Sequence, residues 1–276
     1  MILACASSND ILALPKNDKK SNAPAQLKPA PVSIPALTQS LVYEQHKLRD
    51  DKGTLNVVIF DPRRAKLKVA VAAGGSTAQD MAKKPENSGA VAVTNGPYFD
   101  GPRPHLYLKS NGKAVNSKIK TSDRFFPENI EAVFVINDKG VASVIPALDD
   151  SASGAVNSPA TRLAIQNGPW LVQNGIDVSG RLLEKYQKSP HIGKASPRTL
   201  LGITWDGKVA LATIAEGIGV NLHEAAAEMM KRYKIKELVN MDGGPMTQMV
   251  IDLGGKRRAD IAGSNQVPAF LVVLPK

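Results

Sequence analysis

The sequence predicts a domain built of mostly antiparallel sheets with only a few helices. Short apolar runs rich in β-branched residues recur from about Leu41 onward, as is typical of strands. Turn sequences such as Asn111-Gly112 and Asp206-Gly207 separate several of these runs, and such pairs favour tight hairpins. Few stretches show helical periodicity. The density of hairpin turns therefore argues against a repeating strand–helix–strand unit.

Residues 41–276 are predicted to form one domain, because no obvious linker divides them. The predicted strands, in chain order, are Leu55–Phe60, Leu67–Ala72, Val91–Thr94, Ala132–Ile136, Leu163–Gln166, Leu200–Thr204, Val209–Ile214, Leu238–Met241 and Ala269–Leu274. Most of residues 1–40 is rich in Pro, Ala, Lys and Asn and lacks hydrophobic periodicity. That composition predicts a disordered, partly polyproline-like tether.

The clearest predicted helix follows Asn221, a favourable N-cap, and Glu224 completes a capping box. Its apolar positions, at helical spacing, are Leu222, Ala225, Ala226, Met229, Met230 and Tyr233. A second, shorter helix is predicted over Ala78–Lys84, after a cap at Ser76-Thr77. The apolar face of the first of these helices is expected to lie in the core.

The formal net charge of +10 and the pI near 9.6 suggest an anionic partner. The basic residues come as scattered pairs, and aromatic residues make up only 5% of the chain, so the stacking platforms that bind single-stranded nucleic acid are not expected. We therefore favour an anionic substrate or envelope polymer over a nucleic-acid partner. No apolar run approaches the roughly 18 residues that a membrane-spanning helix needs.

The only cysteine is Cys5, within the tetrapeptide Ile2–Cys5, which resembles the end of a bacterial lipoprotein signal. A chance tetrapeptide is the alternative, because the basic and apolar regions of such a signal are not seen before it. We expect a lipid anchor at Cys5 and a location in the cell envelope, periplasmic or extracellular. A single cysteine gives neither a disulfide framework nor a Cys-based metal site, and no cofactor or metal ligand set is predicted.

Three predicted strands end in nearly the same polar, glycine-containing sequence. These endings are Asn95–Pro97 (NGP), Asn167–Pro169 (NGP) and Asp242–Pro245 (DGGP). Asn-Gly and Asp-Gly accept positive φ at low cost, and proline ends the hydrogen-bonded ladder. Each ending on its own is consistent with an ordinary tight turn. Together they predict a functional site, because loops on a rigid scaffold commonly carry binding residues.

The ordered set VTNGPYFD, IQNGPWLVQNG, SPRTLLGITWDG, IAEG, the capped helix and LVNMDGGPMTQM resembles the phosphodiester glycosidase family. The resemblance extends from about residue 55 to the end of the chain. It implies an α+β fold of twisted, mainly antiparallel or mixed sheets with few flanking helices. It also implies hydrolysis of a sugar joined through its anomeric carbon to a phosphodiester, in a family with many envelope members.

On that resemblance, Asp242 is expected at the anomeric carbon, as nucleophile or electrostatic partner. Arg198 is expected on the phosphate, because its planar fork suits bidentate recognition. Gly243-Gly244 would offer backbone N–H donors to the same group. The candidate second carboxylate is Glu216 or Asp100.

The residues expected to contact the sugar or line the site are Asn95, Gly96, Tyr98, Asn167, Trp170, His191 and Thr247. An ordinary loop role is the alternative for His191. Family members usually follow the Asp-Gly-Gly motif with another Gly and then Ser, whereas this chain has Pro245, Met246 and Thr247. Thr247 would supply that hydroxyl one position later.

Other enzyme classes fit the sequence poorly. A G-x-S-x-G nucleophile elbow is missing, and HEAAAE is not the H-E-x-x-H motif of a zinc protease. Two functions remain: an envelope hydrolase for a sugar-1-phosphodiester, with a sugar of the N-acetylhexosamine type, or an inactive relative that binds an anionic glycan. Retention of both the carboxylate and the arginine favours the enzyme.

Overall fold

The computed structural model describes residues 41–122, 127–148, 150–186 and 192–276. The predicted tether with Cys5, and His191, lie outside these residues. The strands are β1 Leu41–Lys47, β2 Thr54–Phe60, β3 Ala65–Ser76, β4 Ala92–Asn95, β5 Phe99–Asp100, β6 Arg103–Pro104, β7 Leu108–Ser110, β8 Lys113–Asn116, β9 Ala132–Asn137, β10 Ala142–Pro146, β11 Thr161–Asn167, β12 Trp170–Gln173, β13 Ile176–Asp177, β14 Arg198–Thr204, β15 Val209–Ala215, β16 Ile235–Asn240, β17 Met249–Asp252, β18 Arg257–Ile261 and β19 Val267–Pro275.

The helices are α1 Ala78–Lys83, α2 Asp150–Asn157, α3 Gly180–Tyr186 and α4 Leu222–Arg232. Short 3-10 helices span Pro85–Asn87, Pro127–Ile130 and Gly244–Met246. None of the described helices is long and apolar enough to cross a membrane.

Three large sheets and one small hairpin carry the described strands. The first sheet has the order β1-β2-β15-β14-β16-β12-β13, the second β18-β17-β4-β19-β3, and the third β10-β9-β11-β7-β8. Strands β5 and β6 form the separate hairpin. Neighbouring strands of the described chain pair antiparallel. The predicted α+β class of mainly antiparallel sheets with few helices is confirmed.

The largest hydrophobic cluster joins the three sheets, since it contains Phe60 of the first sheet, Leu271 of the second and Phe134 of the third. All three side chains are completely buried. Burial of an aromatic or leucine side chain contributes roughly 1.5–3 kcal/mol. The three sheets are therefore held by one shared core, and their strand ends are fixed relative to one another.

Helix α4 packs its predicted apolar face on the other side of the first sheet, against Leu200 and Leu238. Its capping box is present: Glu224 N donates to Asn221 Oδ1 at 2.9 Å, and Asn221 N donates to Glu224 Oε2 at 3.1 Å. Such a cap stabilises a helix by about 1 kcal/mol. The prediction of this helix from its sequence is confirmed.

Several described elements were missing from the sequence-based prediction. Helix α2 has the sequence DSASGAVN, which is too short and too rich in small polar residues to show a helical apolar face. The hairpin strands β5 and β6 have only two residues each. An alternation of apolar and polar residues cannot be recognised over such a length.

Candidate active site

The three polar strand endings meet, although their strands belong to three different sheets. Strand β16 of the first sheet, β4 of the second and β11 of the third all end on asparagine: Asn240, Asn95 and Asn167. Asn240 N donates to the carbonyl of Pro169 at 3.0 Å, and Asp242 N donates to that of Gly96 at 3.4 Å. The three similar strand endings therefore bring the ends of three sheets together at one place.

Asn95 fixes the loop that carries Asp242. Its Nδ2 donates to the carbonyl of Asp242 at 2.7 Å. Its Oδ1 accepts from Thr199 Oγ1 at 2.8 Å and from Gln248 N at 3.2 Å, and the side chain is only 1% exposed. The structure thus differs from the predicted sugar-binding role, because both ends of the amide are used within the protein.

Asn167 has the same character at the end of β11. Its Nδ2 donates to the carbonyl of Asn240 at 2.6 Å, and its Oδ1 accepts from Tyr98 N at 3.2 Å. The side chain is completely buried. It too holds backbone segments together, where the sequence had predicted a contact with the sugar.

Asn240 is a site residue that the sequence-based prediction missed. Its Nδ2 donates to the hydroxyl of Tyr98 at 2.8 Å, and that hydroxyl donates to the carbonyl of Gly168 at 3.1 Å. Asn240 Oδ1 is buried and has no hydrogen-bond partner among the described residues. The signal was present in the sequence as a third strand-final asparagine, in ELVN beside AVTN and AIQN.

Asp242 follows β16 by two positions and is partly buried. Burial raises the pKa of Asp242 to about 7, and the hydrogen bond from Gly243 N offsets only part of that effect. This bond to Oδ1 measures 2.9 Å. A carboxyl group that titrates near neutral pH is suited to proton transfer or to nucleophilic attack at physiological pH.

Gly243 and Gly244 shape the loop and use their N–H groups internally. Gly243 N donates to Asp242, and Gly244 N donates to the carbonyl of Pro197 at 2.8 Å. A Cβ atom on Gly243 would lie 3.0 Å from the same carbonyl, and Gly244 has φ +61°. The positive φ favours glycine at position 244, and a side chain at position 243 would crowd the Pro197 carbonyl. Both N–H groups are used within the protein, whereas the sequence had predicted that they face an anion.

Arg198 begins β14 and is only 3% exposed. Its Nε donates to the carbonyl of Val220 at 2.9 Å, and its Nη2 to that of Lys194 at 2.7 Å. Burial lowers the pKa of Arg198 to about 10, which leaves it charged at neutral pH. In this conformation the guanidinium group binds two backbone segments, whereas the sequence had predicted that it binds a phosphate.

A cleft of about 380 Å³ opens beside this loop and is lined by Gly244, Pro245 and Thr247. We name it the acidic cleft. Its charged lining residues are Glu216 and Asp260, and the hydroxyl groups come from Ser196, Thr247 and Ser264. None of the described residues that line the cleft is cationic. Hydroxyl and carboxylate acceptors of this kind suit a ligand rich in hydroxyl groups.

Glu216 reaches the acidic cleft because its backbone turns sharply, with φ +62°. The glycine after it allows close packing: a Cβ on Gly217 would lie only 2.3 Å from the carbonyl of Asp51. Thr247, 3% exposed, lies 3.5 Å from the hydroxyl of Thr199. Two residues predicted from the sequence, Glu216 and Thr247, are therefore placed together on the cleft.

The residues that line this cleft do not include Asp242 or Arg198, which lie within two residues of lining residues in the sequence, nor Asp100 or Trp170. Asp100 is exposed in the β5–β6 hairpin, opposite Arg103. The indole N–H of Trp170 donates to Glu237 at 3.1 Å, and the ring packs against the central core. Of the two candidates for the second carboxylate, the structure therefore places Glu216 on the cleft and Asp100 away from it.

A strand-end carboxyl group of near-neutral pKa, beside a cleft lined by hydroxyls and carboxylates, is typical of glycosidase-type hydrolases. The family model of the phosphodiester glycosidases matches residues 88–274. The chain belongs to that family.

Solved structures show the same fold. The catalytic domain of zebrafish N-acetylglucosamine-1-phosphodiester α-N-acetylglucosaminidase, auto-inhibited by its pro-peptide, is 16% identical, with a TM-score of 0.58 over 86% of this chain and 82% of that domain. A hypothetical protein from Synechocystis is 14% identical, with a TM-score of 0.57 over 90% of this chain. The chain covers only 64% of the Synechocystis protein. None of the curated proteins matches the chain.

Proposed function

We propose that the protein hydrolyses a sugar-1-phosphodiester, with a sugar of the N-acetylhexosamine type, in a glycan or exopolysaccharide of the cell envelope. The observation that carries the proposal is Asp242, whose pKa is raised to about 7 by burial at the meeting point of three sheets. Membership of the phosphodiester glycosidase family supports the same reaction class.

The chemistry assigns Asp242 to the anomeric carbon in its ionised form. A phosphodiester is a good leaving group, so departure needs little help from a general acid. The transition state carries positive charge on the sugar, which a carboxylate stabilises or attacks. A base of near-neutral pKa combines useful basicity with a substantial ionised fraction at pH 7.

The acidic cleft is where we place the sugar. Gly244 and Thr247 follow Asp242 in the same loop and line the cleft. The carboxylate of Glu216 and the hydroxyl of Ser196 lie on the cleft as well, so each can accept or exchange hydrogen bonds with sugar hydroxyls. The carboxylate of Glu216 adds favourable electrostatics for a cationic transition state.

The test is release of free N-acetylglucosamine from p-nitrophenyl-phospho-N-acetylglucosamine and from UDP-N-acetylglucosamine. We expect turnover by the wild type and a loss on the order of a thousandfold in kcat for Asp242→Asn, which keeps the shape but removes the charge. The matched control is Asp252→Asn, a partly exposed aspartate of β17, which should keep wild-type activity.

Equal activity of Asp242→Asn and wild type would remove Asp242 from the mechanism. Glycan binding without release of sugar from either substrate would instead favour the inactive binder. That outcome would direct attention to the Pro245–Thr247 segment, where the chain departs from the usual family sequence.

A further inference from the structure

A second cavity, of about 400 Å³, lies between the end of β1 and helix α4. We name it the basic groove. Five cationic side chains line it, Lys47, Arg49, Lys52, Lys231 and Arg232. Three carboxylates, Asp50, Glu224 and Glu228, line it too. The lining is therefore net positive.

Two of the groove's carboxylates already have cationic partners. Lys52 Nζ lies 2.9 Å from Glu224 Oε1, and Arg232 pairs with Glu228. Within the described part of the chain, Lys47, Arg49 and Lys231 have no carboxylate at ion-pair distance. All three are exposed. Their charge is therefore directed to the solvent and to any ligand in the groove.

The basic groove and the acidic cleft flank one short segment. Glu216, at its start, lines the cleft, and Val220, at its end, lines the groove. Val220 also forms a backbone bridge with Ser196, which lines the cleft. Its carbonyl accepts from Arg198 Nε at 2.9 Å. The two cavities are therefore connected through one short segment of the chain, which is exposed from Glu216 to Ile218.

We propose that the basic groove binds the continuing chain of a polymer with repeated phosphodiesters, next to the linkage cleaved at the acidic cleft. The inference rests on the proposed function and adds the substrate class, a polyanionic polymer. Among the residues that the structure describes, the cleft is lined by no cation, and Arg198 donates to backbone carbonyls. Val220, at the end of the segment, lines the same cavity as the exposed cations Lys47, Arg49 and Lys231.

A sugar-phosphate polymer fits the groove better than a nucleic acid does. The described part of the chain contributes no aromatic residue to the lining of the groove, whereas binding of single strands depends on aromatic stacking platforms. Repeated phosphates need only a row of exposed cations, each of which contributes modestly and loses effect as salt rises. The groove therefore provides electrostatic attraction without recognition of bases.

The test measures binding without turnover, by fluorescence anisotropy of fluorescein-labelled inorganic polyphosphate at several salt concentrations. The groove variant carries Lys47→Glu, Arg49→Glu and Lys231→Glu. The control variant carries Lys113→Glu, Lys139→Glu and Lys256→Glu, three exposed lysines outside both cavities. Both variants change the net charge by the same amount.

We expect at least a tenfold loss of affinity in the groove variant and a shallower salt dependence. The control variant should stay within about twofold of the wild type. Thermal unfolding is measured for both, and a neutralised version (Lys47→Gln, Arg49→Gln, Lys231→Gln) replaces the groove variant if it unfolds early. Equal losses in groove and control variants, or no binding by the wild type, would overturn the proposal.

A labelled single-stranded oligonucleotide separates the two kinds of phosphate polymer. We expect it to bind the wild type more weakly than polyphosphate does. Tighter binding of the oligonucleotide, lost in the groove variant, would assign the groove to nucleic acid and contradict the proposal. Because no step here requires catalysis, failure of the hydrolysis assay and failure of the groove are separate results.

Discussion

The acidic cleft and the basic groove have nearly the same volume, about 380 and about 400 Å³, but opposite charge. The cleft offers carboxylates and hydroxyls, the groove an excess of cations over carboxylates, and the segment from Glu216 to Val220 contributes one residue to each. A sugar phosphodiester has the same two parts, an uncharged ring with many hydroxyls and an anionic phosphate. Under the functions proposed above, the cleft binds the sugar ring of one substrate and the groove binds its phosphates.

The two regions also differ in how they are held in place. The loop beside the cleft depends on buried amides, such as Asn95 with its bonds to Asp242, Thr199 and Gln248. The groove depends on long exposed side chains of β1, the following turn and α4. Substitutions beside the cleft should therefore affect stability and geometry together, whereas those in the groove should affect binding alone.

The largest effect on stability is expected from Asn95→Ala. It removes the bond to the Asp242 carbonyl and leaves the donors of Thr199 and Gln248 without their acceptor. Leaving buried polar groups unpaired costs about 1–3 kcal/mol each, so we expect a total loss of about 2–4 kcal/mol in urea unfolding. Displacement of Asp242 should also lower kcat by on the order of a hundredfold.

Two substitutions control this prediction. Asn137→Ala removes an asparagine that accepts only from Val141 N in an exposed hairpin, and should cost about 1 kcal/mol or less. Lys231→Gln in the basic groove should change stability by less than about 0.5 kcal/mol. If all three variants unfolded at the same urea concentration, the contrast between a rigid cleft and an adaptable groove would be wrong.

A smaller effect on stability, with a clear dependence on pH, is expected from Asp242→Asn. The pKa of Asp242 is about 7 in the folded protein, raised from 3.8, so the folded state binds this proton more tightly than the unfolded state. The contribution of this group to the free energy of unfolding is therefore fully present below about pH 4 and is lost as pH rises through 7. A rise in pKa from 3.8 to about 7 corresponds to roughly 4 kcal/mol, at about 1.4 kcal/mol per pKa unit. Solvent screening of this partly exposed carboxyl group reduces the effect, so asparagine should stabilise the protein by about 2 kcal/mol at pH 8.

The measurement is thermal unfolding of wild type and Asp242→Asn at pH 4, 6 and 8. The difference in Tm should favour the variant at pH 8 and become small at pH 4. A constant difference across this range would show that the carboxyl group is not held in its neutral form by burial.

The sequence predicted the fold where local signals decide it. Helix α4 was recognised because its cap and apolar face lie within one short segment, from Asn221 to Tyr233. The long strands β2, β15 and β19 were recognised from their composition. Short edge strands such as β13 and β18 were missed, because pairing with neighbours determines them more than their own sequence does.

The sequence also indicated where the site lies, but not what each residue does there. Asn95 and Asn167 were recognised as strand ends, yet their hydrogen-bond partners come from other sheets, which no local pattern reveals. Asn240 was missed because it lies two residues before the Asp-Gly-Gly motif, outside the repeated glycine-containing sequence. The inward orientation of Arg198 depends on the backbone carbonyls of Val220 and Lys194, and a side chain's contact with a backbone carbonyl leaves no pattern in the sequence.

The central claim is that the ionised form of Asp242 performs the reaction, and the pH dependence of kcat/KM tests it most directly. Since burial raises the pKa of Asp242 to about 7, kcat/KM for p-nitrophenyl-phospho-N-acetylglucosamine should rise about tenfold per pH unit below that value and level off above it. The residual activity of Asp242→Asn should lack this step. A wild-type rate that is flat from pH 5 to 9, or that falls as pH rises through 7, would contradict the account.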